Sequence, residues 1–180
     1  MNNVRELKWG TGRMDFYEVV EQRRSIRAYR EEPVEQEKLD RVLEAARSAP
    51  SAANRQPLYF YVIRDEGTRQ ELLRAYSQEW FAGAPVIVCA CHRDGEAWHR
   101  GDGKSYADVD LAIAFEHLVL AAAAEGLGTC WIGAFKPDAA REVLDIPDEL
   151  EPVAMTPLGY PAEEPGPKPR KPLEEIVEYR

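Results

Sequence analysis

The chain has 180 residues, of which 44% are hydrophobic and 31% are charged, and it carries a formal net charge of −9 with a pI near 5.0. This is typical of one globular domain with a substantial core, and it disfavours nucleic acid as a partner, because nucleic-acid binders present a basic face. The most apolar stretch, 111–124, contains Glu116 and His117 and is too short to span a membrane. Three cysteines without framework spacing and no secretion leader predict a cytoplasmic protein with no membrane partner.

The first half of the chain predicts alternating helices and strands. Residues 1–13 form a predicted N-terminal arm, and Asp15 with Glu18 matches a capping box that begins the first helix. Apolar periodicity predicts a second helix over about 35–48. A loop of small residues at 49–57 follows. The apolar runs 58–63 and 86–91 then predict two strands, with a helix around residues 72–76 between them.

The second half is centred on the longest predicted helix, at about 106–125. It follows a long polar loop, 92–104, and it is apolar almost all round in its second half. Such a helix is buried on every side, either inside the domain or in a subunit interface. Further along the chain we expect a strand at 129–132, a helix that begins at Pro137, and a strand at 153–158.

The last segment, 161–180, is a predicted C-terminal arm of the single domain that spans 14–160. Five prolines lie within 161–172, too many for regular structure, yet the tail behind them carries Leu173, Ile176 and Val177. An arm that reaches a neighbouring subunit explains this order of residues. A frayed chain terminus is the alternative.

A basic cluster within this acidic chain is the main candidate for a binding site. If residues 25–29 are extended, Ser25 and Arg27 share one side, and Arg23 and Arg24 lie just before them. Guanidinium groups suit phosphate and carboxylate oxygens. A second basic group, 168–171, occurs in the arm, so two distant segments are able to converge on one anion. The alternative for each is a solvated charged surface.

Other chemistries have little support in the sequence. Gly126 and Gly128 lack the third glycine of a dinucleotide fingerprint and lie between a helix and a strand, which is the wrong order. Residues 103–105 lack the leading glycine of a phosphate-binding loop. Cys89 and Cys91 fit buried core positions better than metal ligands, so we predict no metal site. No Gly-x-Ser-x-Gly motif is present.

Taken together, four stretches resemble the FMN-dependent nitroreductase family over about residues 14–179. They are 23–29 after a short helix, 49–57 before a strand, the long helix continuing into 126–133, and 158–161 followed by 168–172. The resemblance implies an α+β fold with a central mixed or antiparallel sheet flanked by helices. It also implies an intertwined homodimer that exchanges its C-terminal arms and holds two FMN molecules at the subunit interface.

The resemblance also implies roles for individual residues at the cofactor. The FMN phosphate and neighbouring polar atoms are matched by Arg23, Ser25, Lys168 and Arg170, a position along the cofactor by Arg24, and a position near the flavin ring by Arg27. A loop contributed by the other subunit is matched by Pro50, Ser51, Ala52, Asn54 and Gln56. The segment whose backbone faces the flavin edge near N5 is matched by Ile132 and Gly133. A cation near the ring would stabilise the anionic reduced flavin.

The functional hypothesis is an FMN oxidoreductase that works by a ping-pong scheme. NAD(P)H gives hydride to flavin N5 and leaves, and an electron-poor acceptor such as a nitroaromatic or a quinone is then reduced. Because the flavin carries the chemistry, no catalytic residue is assigned. The alternatives are free-flavin reduction, dehalogenation or oxygen-dependent chemistry on the same scaffold, with specificity in the 92–104 loop, or a non-enzymatic FMN-binding dimer.

Overall fold

The computed structural model describes residues 15–180, so the predicted arm at 1–13 lies outside the described residues. Its sheet has the strands β1 (Leu58–Ile63), β2 (Val86–His92), β3 (Gly128–Thr129) and β4 (Glu151–Gly159), antiparallel throughout in the order β1-β2-β4-β3. Its helices are α1 (Phe16–Gln22), α2 (Gln36–Arg47), α3 (Glu66–Glu71), α4 (Glu79–Ala82), α5 (Ala107–Ala124) and α6 (Pro137–Leu144). Short 3₁₀ turns occur at Ala52–Asn54, Leu72–Arg74, Asp94–Glu96 and Leu173–Glu175. The predicted α+β class is confirmed.

Strand β2 lies in the middle of the fold, and all seven of its residues are buried. Side chains alternate along a strand, so β2 feeds two separate cores. Val86, Val88 and Ala90 pack with α2 and α5 on one face of the sheet, and Ile87, Cys89 and Cys91 pack on the other with Phe81 of α4 and Ala140 of α6. Helices therefore flank both faces of the sheet.

The local signals for helix ends agree with the structure. Asp15 accepts from the N–H of Glu18, whose side chain accepts from the N–H of Asp15, so the capping box is present. Pro137 occupies the first turn of α6, where backbone N–H groups have no acceptor within the helix, so its lack of an N–H costs no hydrogen bond. Helix α5 agrees with its predicted bounds to within one residue at each end.

The predicted strand at 129–132 is wrong in extent. Strand β3 ends at Thr129, because Cys130 donates its N–H to the Thr156 side-chain oxygen (3.0 Å) instead of a backbone carbonyl. Ile132, further along, forms an isolated antiparallel β-bridge with Met155 of β4. The predicted helix around 72–76 is displaced: α3 spans Glu66–Glu71, and Leu72–Arg74 form a 3₁₀ turn after it.

Helix α5 is not covered on every side within one copy of the chain. It packs on α2 and the sheet, but Val109 and Ile113 are 39% and 36% exposed. Helix α1 packs beside it and leaves Phe16, Tyr17 and Val20 exposed. These five side chains are called the α1/α5 face below. Among the described helices, none is both long and apolar enough to cross a bilayer.

Candidate functional site

The segment that joins α1 to α2 is held along strand β3. Ile26 donates its N–H to the carbonyl of Thr129 (2.8 Å), and Ser25 forms an isolated parallel bridge with the same residue. The buried side chain of Ile26 lies against Gly128, where an added Cβ would come within 2.7 Å of Ile26 Cγ1. Because side chains alternate, the inward Ile26 leaves Ser25 and Arg27 together on the other side.

The first residues of the C-terminal arm lie against this same segment. Ala162 donates its N–H to the carbonyl of Ala28 (2.9 Å). The backbone N–H of Arg27 donates to the carboxylate of Glu163. The arm therefore starts beside the basic segment of its own chain, before the prolines carry it onward.

The buried thiol of Cys130 marks where basic side chains from both ends of the chain meet. Burial raises the pKa of this thiol above its ordinary value. Four smaller effects lower the pKa of Cys130. In decreasing order, they are the charge of Arg27, a hydrogen bond with the Ser25 hydroxyl, the charge of Lys168 and the charge of Arg23. Charge effects of this kind act over short distances. Arg23, Arg27 and Lys168 thus lie close enough for their charges to act on the Cys130 thiol, and Ser25 lies within hydrogen-bond reach of it. These four residues are called the cationic cluster below. Arg23, Lys168 and the Ser25 hydroxyl fit a doubly charged phosphate, with Arg27 as a further cation beside them.

Two further predicted residues do not join the cationic cluster. Arg24 turns back on the end of α1 and donates to the carbonyls of Glu21 and Arg23. Arg170 is exposed, and its guanidinium donates to the carbonyl of Pro169 (3.2 Å).

The cationic cluster is fixed from two sides. Arg23 Nε lies 3.9 Å from Oε1 of Glu116 on α5, so this carboxylate limits where the guanidinium points. Arg27 places its guanidinium 5.9 Å from the ring centre of Trp80, which packs edge-on against Tyr76. A cation over an aromatic face is attracted by the ring, so Trp80 limits where Arg27 points.

The loop at 50–57 is strained. Ala53, Asn54 and Gln56 have φ values of 50°, 54° and 52°, a left-handed region that L-residues other than Asn and Asp seldom adopt. Most bonds of the loop are internal, such as Gln56 N–H to Ser51 Oγ (2.9 Å). Residues 53–56 are exposed, although the backbone N–H groups of Asn54, Arg55 and Gln56 are hydrogen-bonded within the loop.

Within one copy of the chain, this loop and the cationic cluster contact different sides of α5. Ala52 bonds to the helix at Asp110, whereas Arg23 pairs with it at Glu116. Six residues along a helix correspond to about 9 Å of rise and about 120° of rotation. Among the described residues, no hydrogen bond or ion pair joins the loop to the cluster.

Ile132 and Gly133 differ in what their backbones offer. Ile132 donates its N–H to Met155 (2.8 Å) and accepts from the N–H of Met155 (2.9 Å), so both its backbone groups are engaged. Gly133 is exposed, and a Cβ placed there would meet nothing within 4 Å. The backbone of Gly133 is therefore the one accessible to a ligand at this point.

Sequence reasoning did not single out Asp110, Glu163 or Cys130. A signal existed for Asp110, since it falls on the buried stripe of α5 between Ala107 and Ala114, where a carboxylate is out of place. No local pattern in the proline-rich arm distinguishes Glu163 from Glu164. The apolar pattern around Cys130 indicates a strand residue and nothing more.

The other cysteines are structural. Cys89 and Cys91 are fully buried in the core, and a hydrogen bond with Cys91, together with burial, raises the pKa of Cys89. No group of His, Cys, Asp and Glu side chains within 15–180 has the arrangement of a metal site.

Comparison with known proteins gives consistent matches. A family model described as the nitroreductase family matches residues 20–80 and 68–160. The chain is 34% identical to an NADH dehydrogenase of Thermus thermophilus, covering 88% of this chain and 92% of that protein. It is 32% identical to an FMN reductase [NAD(P)H] of Bacillus subtilis (85% and 68% covered). The structure matches a nitroreductase family protein of Clostridium difficile 630 with a TM-score of 0.85 and 38% identity, covering 92% and 98% of the two chains.

Proposed function

The chain belongs to the nitroreductase family, and from this premise we propose that it is a homodimer that passes hydride from NAD(P)H to an electron-poor small molecule such as a nitroaromatic or a quinone. It is an NAD(P)H-dependent oxidoreductase that uses FMN. FMN held at this site would supply the redox chemistry that carries hydride from the nucleotide to the acceptor. The protein's own residues bind, orient and tune it.

The observation that carries the proposal is the cationic cluster. Arg23, Arg27 and Lys168 come from the two ends of an acidic chain to the neighbourhood of one thiol, which supports a bound anion there. The FMN phosphate needs several charge-assisted donors, and the Ser25 hydroxyl adds one more. Arg170 lies two residues beyond Lys168 in the arm, and we assign it to the same phosphate. Arg24 contributes its backbone and the aliphatic part of its side chain alongside the cofactor.

A second copy of the chain completes the site. The loop that carries Pro50, Ser51, Ala52, Asn54 and Gln56 is bonded through Ala52 to a different side of α5 from the cationic cluster of the same copy. The α1/α5 face is apolar and exposed, and pairing it with its copy removes that surface from water. Dimerisation through this face brings the loop of one copy to the cationic cluster of the other.

The C-terminal arm has a matching groove. Strand β1 is an edge of the sheet, and between it and α2 lies a groove of about 480 Å³ lined in part by Leu43, Leu58 and Val62. An unpaired strand edge accepts another strand readily. The exposed tail, with Leu173 and Ile176, supplies apolar side chains for this groove in the partner.

The 92–104 loop adjoins the loop at 50–57. This position supports a role for the 92–104 loop in the choice of electron acceptor. Arg93 donates its N–H to the carbonyl of Pro57 (3.0 Å), so the two loops are joined. Trp98 packs edge-on against Tyr106 at 5.0 Å and fixes the end of the loop. In the dimer this places the 92–104 loop at the mouth of the proposed pocket.

The test is the visible spectrum of the purified protein with FMN under anaerobic conditions. We expect NADH or NADPH to bleach the flavin band, and a nitroaromatic or a quinone to restore it over many turnovers. A protein that binds no FMN contradicts the proposal. Bound FMN that neither nucleotide bleaches indicates a non-enzymatic FMN-binding dimer, and restoration by oxygen or free flavin alone indicates the other reactions of this scaffold.

A pair of lysines from the arm tests the phosphate site itself. Lys168→Ala removes a member of the cationic cluster, whereas Lys171→Ala removes an exposed lysine that lies near Glu175 (4.0 Å). We expect Lys168→Ala to raise the Kd for FMN by about tenfold, as for loss of a charged hydrogen bond. Lys171→Ala is expected to leave it unchanged, and equal effects of the two would contradict the assignment.

A further inference from the structure

We propose that Asp110 is a positioning residue that holds the strained 51–56 loop in the shape that receives FMN. The statement about FMN rests on the function proposed above, but the effect on the loop does not. Asp110 lies in the first turn of α5 and is 1% exposed, and its Oδ1 accepts the backbone N–H of Ala52 at 2.9 Å. It never touches the reacting atoms.

This hydrogen bond is the external anchor of the loop. Within the described part of the chain, it is the only hydrogen bond from residues 51–56 to a helix or strand other than the adjoining β1, whose first residue, Leu58, donates its N–H to the Gln56 carbonyl (2.8 Å). Left-handed conformations at Ala53, Asn54 and Gln56 persist only where surrounding contacts determine them. The bond reaches Ala52, immediately before the first left-handed residue, and so fixes the point from which the strained turn begins.

The surroundings of Asp110 indicate that it is not there for stability. Among the described residues, its buried Oδ2 has no hydrogen-bond partner and no cation pairs with the carboxylate. A buried carboxylate without a cation destabilises a fold, so an apolar side chain would serve the core better. The first turn of α5 suits an acidic side chain, and the bond to Ala52 is the specific contact that Asp110 makes with another segment.

Three variants separate this role from a general structural one. Asp110→Asn keeps an oxygen that accepts from Ala52, and Asp110→Leu removes it. Ala52→Pro removes the N–H donor without touching Asp110, and it is tolerated locally because Ser51 is extended (φ −136°, ψ 157°), as a residue before proline must be. Asp108→Asn is the matched control, since Asp108 lies in the same helical turn but contacts His92.

The first measurement needs no cofactor: hydrogen–deuterium exchange of residues 51–56 in the flavin-free protein. We expect faster exchange in Asp110→Leu and Ala52→Pro, near-wild-type exchange in Asp110→Asn, and no change in Asp108→Asn. Thermal stability of Asp110→Leu is expected to equal or exceed that of the wild type. Unchanged exchange in both Asp110→Leu and Ala52→Pro would overturn the proposal, whether or not the protein binds FMN.

The second measurement is the Kd for FMN. Asp110→Leu and Ala52→Pro are each expected to raise the Kd by about tenfold, the effect of losing one hydrogen bond to a charged group. The double variant is expected to raise it by no more than either single variant does. Additive losses would overturn the proposal, since both changes are meant to break one bond. A wild type that binds no FMN would overturn the proposed function, and the exchange measurement alone would then decide the role of Asp110. If Asp110→Leu does not fold, Ala52→Pro with Asp110→Asn decides the question.

Discussion

Arg23 and Glu116 form an ion pair, Nε to Oε1 at 3.9 Å, that joins the end of α1 to the middle of α5. Arg23 also belongs to the cationic cluster. In the proposed complex, the carboxylate and the FMN phosphate compete for the same guanidinium. Glu116 therefore weakens the phosphate site that its partner residue forms.

Replacing Glu116 tests this competition. Burial raises the pKa of Glu116, with Arg23 and then His117 opposing the shift, so the folded protein favours the protonated carboxyl. The stability from this preference is present below the ordinary pKa of 4.5 and lost as the pH rises through the raised value. Glu116→Gln should therefore raise the melting temperature at neutral pH, with the gain vanishing near pH 4. It should also tighten FMN binding by about two- to fivefold, the range of a partly exposed ion pair.

The control for this variant is Glu44→Gln, which breaks the exposed pair with Arg47 on α2. The pKa of Glu44 is lowered by its hydrogen bond with Arg47, so its pH dependence has the opposite sign. FMN affinity should not respond to Glu44→Gln. Weaker FMN binding in Glu116→Gln would show that Glu116 orients Arg23 instead of competing for it.

Arg27 is predicted to set the reduction potential of bound FMN. The Arg27 guanidinium is held over Trp80, and in the proposed complex it lies near the flavin ring. A cation there stabilises the anionic reduced flavin, so the loss of Arg27 disfavours reduction. Arg27→Ala should lower the two-electron potential by about 30 mV or more, equivalent to a tenfold change in the equilibrium constant. The control is Arg30→Ala. Arg30 is a cation of the same segment, but its guanidinium donates to the carbonyl of Pro161. Equal potentials in wild type and Arg27→Ala would place Arg27 away from the ring.

Two neighbouring alanines should respond oppositely to glycine. Ala53 is left-handed (φ 50°), a conformation that costs an L-residue about 1–2 kcal/mol and glycine nearly nothing. Ala52 has no such strain, so glycine there only adds disorder to the unfolded chain. We expect Ala53→Gly to leave the free energy of unfolding equal or higher, and Ala52→Gly to lower it by about 0.5–1 kcal/mol. Denaturant unfolding of the two variants measures the difference, and a larger loss in Ala53→Gly would contradict the backbone geometry.

Gly128 is predicted to control the cationic cluster through Ile26. A Cβ at Gly128 would lie 2.7–3.0 Å from three side-chain atoms of Ile26, so Gly128→Ala must displace it together with Ser25 and Arg27. FMN affinity and thermal stability should both fall. Adding Ile26→Ala vacates that space and should restore part of the affinity. The control Gly101→Ala, where a Cβ meets nothing within 4 Å, should change neither.

Local chemistry explains which parts of the fold were predictable from the sequence. The capping box at Asp15, the proline that opens α6 and the apolar run of β2 each act within a few residues, and each is found as predicted. The end of β3 was not predictable. It depends on the bond from Cys130 to the Thr156 side chain, and those residues are 26 apart in sequence.

The same distinction applies to the candidate site. Residue types and spacing indicated a basic segment, and its folding onto β3 places Ser25 and Arg27 as alternation requires. A carboxylate on the buried stripe of α5 was visible at Asp110, but its partner was not predictable, because that partner is a backbone amide 58 residues away that any residue except proline could supply. The bond between Arg27 and Glu163 spans 136 residues and has no local signature.

The proposed dimer is tested by a charge on the α1/α5 face. Ile113 is 36% exposed on the outer side of α5, so Ile113→Glu should leave the single copy folded while a buried glutamate prevents pairing. The mass in solution should fall from about twice 20.4 kDa to 20.4 kDa, and bound FMN should be lost because the second copy no longer supplies the 50–57 loop. Gln70→Glu adds the same charge to the exposed surface of α3 and should preserve both dimer and cofactor. If Ile113→Glu remains a dimer with full FMN, the two copies meet through another surface, and the loop must reach the cationic cluster by a different path.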